Sequence, residues 1–470
     1  MTTMNEKKRH SFTGSLGFVL AAAGSAVGLG NIWRFPYLAA RDGGGLFLVV
    51  YIILALTFGF TLLTTEIAIG RKTKQGPLTA YGMINKKWRF LGALGCLIPA
   101  IVAPYYCVIG GWCVKYLVGF ISGQGAEMAT DGYFTGFITA PVEPIIFMLI
   151  FLGATAFVII MGVNKGIEAM GKFLMPALLV LVVIISVFAL TVSHTDADGV
   201  TRTGLQGFSI YVIPNLEGLT VGSFFSTLVD AMGQLFFSLS VAMGIMIAYG
   251  SYARDDSNLT KSVAQIEFFD CAVAFLAGVM IIPAVYAFSG TEGLAASGPS
   301  LMFVALPKVF EAMGPIGNVM GILFFVMVLF AALTSCVSIF EAVVSSFMDK
   351  FHLTRRKAAG LQTAIAIVGA VIVCLGYNAW YFKVTLPNGA TAQILDILDY
   401  VSNNCLMPIL AIGTCILIGW VAGPKTVIGE VEKTGQTMRR KAMYNIMIKF
   451  VAPALLIILF LKSVGLLSMI

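Results

Sequence analysis

Charged side chains are scarce in this chain of 470 residues: Asp, Glu, Lys and Arg make up 11% of it, whereas 58% is hydrophobic. A typical soluble protein is about 25% charged. The shortage excludes the ordinary soluble enzyme classes and favours a chain that crosses the lipid bilayer many times. No stretch has the size and polarity of a separate soluble domain, so we expect residues 1–470 to form a single transmembrane domain.

Other chemical signals are missing too. None of the eight cysteines has the spacing of metal ligands, and we interpret them as small buried hydrophobic residues. The chain shows no nucleophile with a matching base and no cofactor motif, so we expect neither an enzyme nor a bound organic cofactor. The net charge of +7 comes from basic residues in short loops, which is not a nucleic-acid signal.

Long hydrophobic runs are abundant. A helix needs about 20 apolar residues to cross a bilayer, and about eleven runs qualify. They lie near 14–38, 45–70, 89–121, 142–162, 167–192, 222–251, 261–287, 315–349, 358–378, 394–421 and 443–468. Lys and Arg concentrate in alternate loops, so the positive-inside rule places the N-terminus in the cytoplasm and, with eleven spans, the C-terminus outside the cell.

Two of these spans do not suit a plain membrane anchor. The first contains Gly24, Gly28, Gly30 and Asn31 in its middle, although each glycine costs about 1 kcal/mol in a helix interior relative to alanine. Backbone groups without helical partners are tolerated in a bilayer only where something else binds them. The run 230–244, five spans later, is interrupted similarly. We therefore expect an all-α membrane protein with a 5+5 inverted repeat, whose first and sixth helices are broken at mid-membrane. The repeats would cover roughly 11–192 and 222–421, with 443–468 as an extra helix.

Acidic side chains within the spans indicate where a cation could bind. They are Glu66, Asp230, Asp270, Glu341 and Asp399. An unpaired carboxylate at mid-membrane costs roughly 2.5–3.5 kcal/mol, and a bound cation would offset that cost. For Asp270, in the middle of its span, the alternative is a protonated acid bonded to a neighbouring helix. Neutral oxygen donors that suit Na⁺, or that simply pack as small residues, are Asn31, Ser238, Thr334 and Ser335.

Several motifs together carry a family resemblance. They are Gly24–Pro36 (GSAVGLGNIWRFP), Thr65–Arg71 (TEIAIGR), Tyr105–Tyr106, Gln234–Ser240 (QLFFSLS), Ala331–Ser335 (AALTS) and Leu395–Asp399 (LDILD). In this order, along nearly the whole chain, the sequence resembles the neurotransmitter:sodium symporter family, in particular its bacterial amino-acid transporters. The resemblance implies a sodium-coupled symporter that works by alternating access in the cytoplasmic membrane of a prokaryote.

The resemblance also implies roles for individual residues. The first of two sodium sites would use the carbonyl of Ala26 with Asn31, Ser238 and Asp270. The second would use the carbonyls of Gly24, Val27 and Ala331 with the hydroxyls of Thr334 and Ser335. The substrate would contact Ala26, Leu29, Gly30, Val102, Tyr106, Phe237, Ser238, Ser240, Met243 and Ile339. Gates would be formed by Arg34 with Asp399 outside and by Arg9 with Asp349 inside, unless these are ordinary surface salt bridges. Glu66 would support the unwound segments.

Three positions refine the expected substrate and ion dependence. Gly28 stands where amine transporters of the family carry an aspartate, which leaves room for the carboxylate of an amino acid. Asp270, where many members have asparagine, implies transport without chloride, and Ala242 in place of glycine would narrow the pocket. We therefore expect Na⁺-coupled symport of a neutral, hydrophobic L-amino acid. The alternatives are another small amine as substrate, or a non-transporting amino-acid sensor. Which amino acid is carried and the oligomeric state stay open.

Overall fold

The computed structural model describes residues 11–196, 199–433 and 435–467, and the predicted gate residue Arg9 lies outside them. Most of the described chain is helical, because backbone groups inside a bilayer must find their partners within the same helix. Nine of the described helices are continuous and long enough to cross a membrane. They are Gly45–Thr73, Lys86–Ile121, Glu143–Met161, Val163–Thr191, Leu259–Gly293, Pro315–Phe351, Arg355–Leu375, Ile394–Val421 and Lys441–Ser463.

The two remaining spans are the broken ones. The first consists of Ser15–Ala26 and Gly30–Arg41, bent by 49° at the break. The sixth consists of Val221–Ser238 and Ile245–Tyr252, and residues 239–244 between them form turns. We number the eleven spans in chain order, so the nine continuous helices are spans 2–5 and 7–11. The prediction of an all-α fold with broken first and sixth helices is confirmed.

Wide π-helical turns interrupt several spans. They are Gly30–Arg34, Ala55–Gly59, Val163–Glu168, Tyr400–Leu406, Leu417–Val421 and Met447–Val451. Such turns occur frequently at functional sites. The first of them directly follows the break in span 1, and Tyr400–Leu406, one of two such turns in span 10, directly follows Asp399.

Short elements connect the spans. The helices among them are Pro77–Ile84, Gly125–Met128, Tyr133–Thr139, Gly204–Val212, Gly298–Ser300, the π-helical Leu301–Ala305, Leu306–Ala312 and Lys425–Glu432. Two small antiparallel hairpins pair Ser193–Thr195 with Thr201–Thr203 and Val384–Thr385 with Thr391–Ala392.

Burial separates the inner spans from those at the periphery. In the most apolar stretches of spans 3, 7 and 8, 67–72% of the residues are buried inside the protein, against 22% in span 11 and 33% in span 4. Apolar side chains on the peripheral spans are suited to contact lipid. The broken segments of spans 1 and 6 lie among the inner spans, and Ala26, Val27, Leu239 and Val241 are each at most 1% exposed.

Candidate functional site

The breaks in spans 1 and 6 border an internal cavity of about 30 Å³, which is room for about two water-sized molecules. Every residue predicted to contact the substrate lines it: Ala26, Leu29, Gly30, Val102, Tyr106, Phe237, Ser238, Ser240, Met243 and Ile339. Ser25, Gly28, Asn31 and Ser335 line it as well. The structure thus brings together residues from spans 1, 3, 6 and 8 that are far apart in the chain.

Two glycines of span 1 allow the walls of this cavity to approach closely. A Cβ atom added at Gly28 would lie 2.9 Å from Ser335 Oγ and 3.4 Å from Tyr106 Oη. A Cβ atom added at Gly30 would lie 2.9 Å from a ring carbon of Phe237. Any larger residue would have to displace these groups, so the glycines keep the backbone of the broken helix accessible to the cavity.

Three side chains predicted for the first sodium site form one buried cluster. Asp270 Oδ1 accepts hydrogen bonds from Asn31 Nδ2 at 2.8 Å and from Ser238 Oγ at 2.6 Å, and Tyr51 Oη donates to Asp270 Oδ2 at 3.1 Å. Asn31 Oδ1 in turn accepts from the backbone N–H of Gly28 at 3.1 Å. Asp270 and Asn31 are both 0% exposed. Oxygen atoms of this kind are the ligands of hard cations, and the fourth predicted member, Ala26, lines the adjoining cavity.

Residues predicted for the second sodium site lie on both sides of the contact between spans 1 and 8. Ser335 Oγ lies 3.5 Å from the carbonyl oxygen of Gly24, and Thr334 Oγ1 donates to the carbonyl of Ala331 at 3.1 Å. Val27 has an extended backbone (φ −75°, ψ 94°), which directs its carbonyl out of the helical hydrogen-bonding pattern. The arrangement supplies hydroxyl and carbonyl oxygens without a carboxylate, a donor set that fits a singly charged cation.

The unwound part of span 6 contains two strained residues, because Ser240 (φ +52°) and Ala242 (φ +57°) occupy the left-handed region without being glycine. Glu66 Oε1 accepts the backbone N–H of Ala242 at 2.6 Å, and the supporting role of Glu66 stays a prediction. Ser240 Oγ donates to the carbonyl of Ser25 at 3.0 Å and lies 3.3 Å from Ser25 Oγ. Ala242 was expected to narrow the pocket, yet it is not among the residues that line the cavity. No role was predicted for Ser25 from the sequence. Through these contacts with Ser240, Ser25 connects the break of span 1 to the break of span 6.

The outer gate pair is not formed in this conformation. We call the end of the bundle that carries Arg34 and Asp399 the outer end, and no ion pair within 4.0 Å joins these two residues in the part of the chain that the structure describes. Asp399 Oδ1 instead accepts from Asn403 Nδ2 at 2.6 Å, and the same amide group lies 3.2 Å from Tyr105 Oη. The gating role of Arg34 and Asp399 stays a prediction.

At the opposite end of the bundle, the inner end, several side chains form contacts. Of these residues, only Asp349 was predicted to belong to a gate. Asp349 Oδ2 accepts the backbone N–H of Gly76 at 2.5 Å. Glu341, 0% exposed, forms a two-pronged pair with Arg355, with Nη1 to Oε1 at 3.1 Å and Nη2 to Oε2 at 2.5 Å, and it accepts from Tyr252 Oη at 2.6 Å. The available signal was the acidic residue within span 8, which requires a cationic partner.

The segment before span 1 covers this inner end. Phe12 N donates to the carbonyl of Tyr252 at 3.1 Å. The ring of Phe12 makes edge contacts with Phe18, Tyr249 and Tyr252, with centroids 5.7–6.3 Å apart. Two broken helices, oxygen clusters at their breaks and the cavity between them define a multi-pass membrane transporter.

Comparison with known proteins identifies the family. The chain belongs to the sodium:neurotransmitter symporter family, whose model matches residues 9–126 and 137–469. It is 32% identical to the uncharacterized sodium-dependent transporter YhdH of Bacillus subtilis over 99% of this chain and 100% of that one. It is 27% identical to the human sodium- and chloride-dependent GABA transporter 2, over 90% of this chain and 75% of that one.

A solved structure supports the same assignment. The structure of MhsT in complex with L-phenylalanine matches with a TM-score of 0.83 and 31% identity, covering 97% of this chain and 100% of that one. The protein is therefore a sodium-dependent transporter of a bacterial type, not an enzyme.

Proposed function

We propose that the protein is a Na⁺-coupled symporter of neutral, hydrophobic L-amino acids that works by alternating access. The observation that carries the proposal is the cavity itself, which is lined by freed backbone groups, by the Asp270 partners Asn31 and Ser238, and by an apolar wall. Val102, Phe237, Met243 and Ile339 supply that wall. The relative MhsT was solved with L-phenylalanine, an amino acid of this class.

The proposed pose places each end of a zwitterion beside groups of matching polarity. The N-terminal end of a helix favours anions, so the substrate carboxylate would meet the amides of Leu29 and Gly30 and the hydroxyl of Tyr106. The ammonium would meet carbonyls of Ala26, Phe237 and Ser238 together with the hydroxyl of Ser240. All of these residues line the cavity.

Coupling would follow if the substrate carboxylate completes the first sodium site. Sodium and substrate must then raise each other's affinity by the same factor. Moving one charge through 100 mV is worth about 2.3 kcal/mol, so two Na⁺ ions carried inward would supply about twice that in addition to their concentration gradient. The orientation predicted from Lys and Arg, with the N-terminus in the cytoplasm and the C-terminus outside, belongs to this proposal.

The hydrogen bonds to Asp270 support transport without chloride. In the resemblance to chloride-dependent members, the counterparts of Tyr51, Gln234 and Ser238 surround the anion. Here the two hydroxyls donate to the carboxylate of Asp270, at 3.1 Å and 2.6 Å, and Gln234 Nε2 donates to the carbonyl of Gly30 at 3.1 Å. A fixed carboxylate thus occupies donors that chloride would need, and we propose that it supplies the negative charge itself.

The proposal is tested by substrate binding and uptake in Na⁺ and in choline. Purified protein is screened with the common L-amino acids, and the binding ones are then tested for uptake into proteoliposomes with an inward Na⁺ gradient. We expect binding of hydrophobic amino acids that is tighter in Na⁺, and uptake that chloride replacement by gluconate leaves unchanged. Substrate affinity that is equal in Na⁺ and choline would refute the coupling.

The alternatives predict other results. An amine substrate would require an acidic group near Gly28, yet even a Cβ atom there would lie 2.9 Å from Ser335 Oγ, which disfavours this alternative. A sensor would bind an amino acid in Na⁺ but would not accumulate it in the proteoliposomes.

A further inference from the structure

Span 11 contacts the outer half of span 6. Gly233 permits the approach, because a Cβ atom added there would lie 3.2 Å from Leu459 Cδ1. About one turn further along both helices, Lys462 Nζ donates to Asp230 Oδ1 at 2.8 Å and to Ser226 Oγ at 3.3 Å. The contact therefore combines close apolar packing with an ion pair.

Asp230 connects this contact to span 1. Its second oxygen, Oδ2, accepts from Nη2 of Arg41, which lies at the outer end of span 1. Arg41 is itself held by Asp42, with Nε 2.7 Å from Oδ1. The outer halves of spans 1 and 6 are thus joined to each other through Asp230 and attached together to span 11.

Span 11 is anchored on span 10 and on the segment before it. Trp420 Nε1 of span 10 donates to the carbonyl of Lys449 at 3.1 Å, and the ring of Trp420 meets that of Phe450 edge-on at 5.3 Å. Near the other end of span 11, a Cβ atom added at Gly465 would lie 2.5 Å from the carbonyl oxygen of Pro387. Span 11 and span 10, which carries Asp399, therefore form one support.

The Lys462–Asp230 pair consequently bridges the same two parts of the molecule as the predicted gate pair Arg34–Asp399. One part is the outer half of spans 1 and 6, and the other is the support formed by spans 10 and 11. The first pair is present in this conformation although the second is not. We propose that Lys462 is a positioning residue of the outer gate. By holding Asp230, it keeps the outer halves of spans 1 and 6 near span 10 and so favours closure of Arg34 onto Asp399.

The size of the effect follows from the exposure of the pair. The side chains of Lys462 and Asp230 are 39% and 19% exposed, and pairs of this kind change an equilibrium by about two- to five-fold. That closure of the outer gate serves transport rests on the proposed function. Closure itself can be measured in Na⁺ alone, without any substrate.

The experiment measures a distance across the outer end of the bundle by pulsed electron paramagnetic resonance. Nitroxide labels are placed at Val221 and Val384, which are exposed, and the two cysteines that are not buried, Cys271 and Cys405, are replaced by serine. In liposomes with Na⁺, Lys462→Met should raise the ratio of long to short distances by about two- to five-fold. The conservative substitution Lys462→Arg keeps the positive charge and should leave the ratio at its original value.

Lys449→Met is the control from the same helix: it breaks no ion pair and removes only a cation that lies 5.8 Å from the centre of the Trp420 ring, while the hydrogen bond from Trp420 Nε1 to the backbone carbonyl of Lys449 stays in place. The proposal is overturned if Lys462→Met gives the distribution of this control, or if Lys462→Arg shifts the distances as much as Lys462→Met does. A failure of the unsubstituted protein to accumulate amino acids would instead contradict the proposed function and leave the distance result standing.

Discussion

Replacing Asp270 by asparagine is the most informative single change. The carboxylate accepts three hydrogen bonds, from Asn31, Ser238 and Tyr51 at 2.6–3.1 Å. An asparagine amide accepts on its oxygen only; with that oxygen at the Oδ1 position, the NH₂ group would face Tyr51 Oη, which would have to accept instead of donate. Hydrogen bonds to a charged group contribute about 1.5–3 kcal/mol, against about 0.5–1.5 kcal/mol for neutral pairs.

The expected consequence is weaker sodium binding together with a new need for chloride. The lost charge and the poorer hydrogen bonds should weaken Na⁺ by about 1–2 kcal/mol, which is roughly a 5- to 30-fold higher half-saturating concentration. The assay titrates Na⁺-dependent amino-acid binding in chloride and in gluconate. We expect Asp270→Asn to bind measurably only with chloride, or not to transport at all.

The matched control is Glu267→Gln. Glu267 is a buried acid one turn away on span 7, and its Oε1 has no hydrogen-bond partner in the described part of the chain. The substitution removes a carboxylate from the same helix without touching Asn31 or Ser238. If Asp270→Asn transports without chloride at the original sodium affinity, the reasoning about a fixed negative charge is wrong.

Three further changes test the cavity and its support. Gly28→Asp should abolish amino-acid binding while the protein still folds, because its Cβ would meet Ser335 Oγ at 2.9 Å; unchanged equilibrium binding would contradict this. Ala242→Gly should raise the free energy of unfolding by up to about 1 kcal/mol, since it removes left-handed strain at φ +57°; a lower midpoint of thermal unfolding would count against it. Glu66→Ala should lower that free energy by about 1–3 kcal/mol, because the N–H of Ala242 would be left buried without an acceptor, and the same thermal assay, with Thr64→Ala as control, checks the direction.

The spans and their breaks could be predicted from the sequence because they depend on local physics. Every backbone group in a bilayer needs a nearby partner, so hydrophobic runs predict the helices, and Gly24, Gly28 and Gly30 mark where one of them is interrupted. The family motifs then indicated which residues meet at the cavity. The structure places all ten predicted substrate contacts there, although their roles stay predictions.

Contacts between different spans were decided only by the tertiary structure. Glu341 with Arg355 and Lys462 with Asp230 are pairs that depend on how the helices pack and rotate. The sequence showed that buried acids need partners but not which cations reach them. Likewise, whether Arg34 touches Asp399 depends on the conformation of the whole bundle, because that pair joins parts that alternating access would move relative to each other. Local composition determined where the helices run and break, whereas side-chain geometry across helices determined which charges meet.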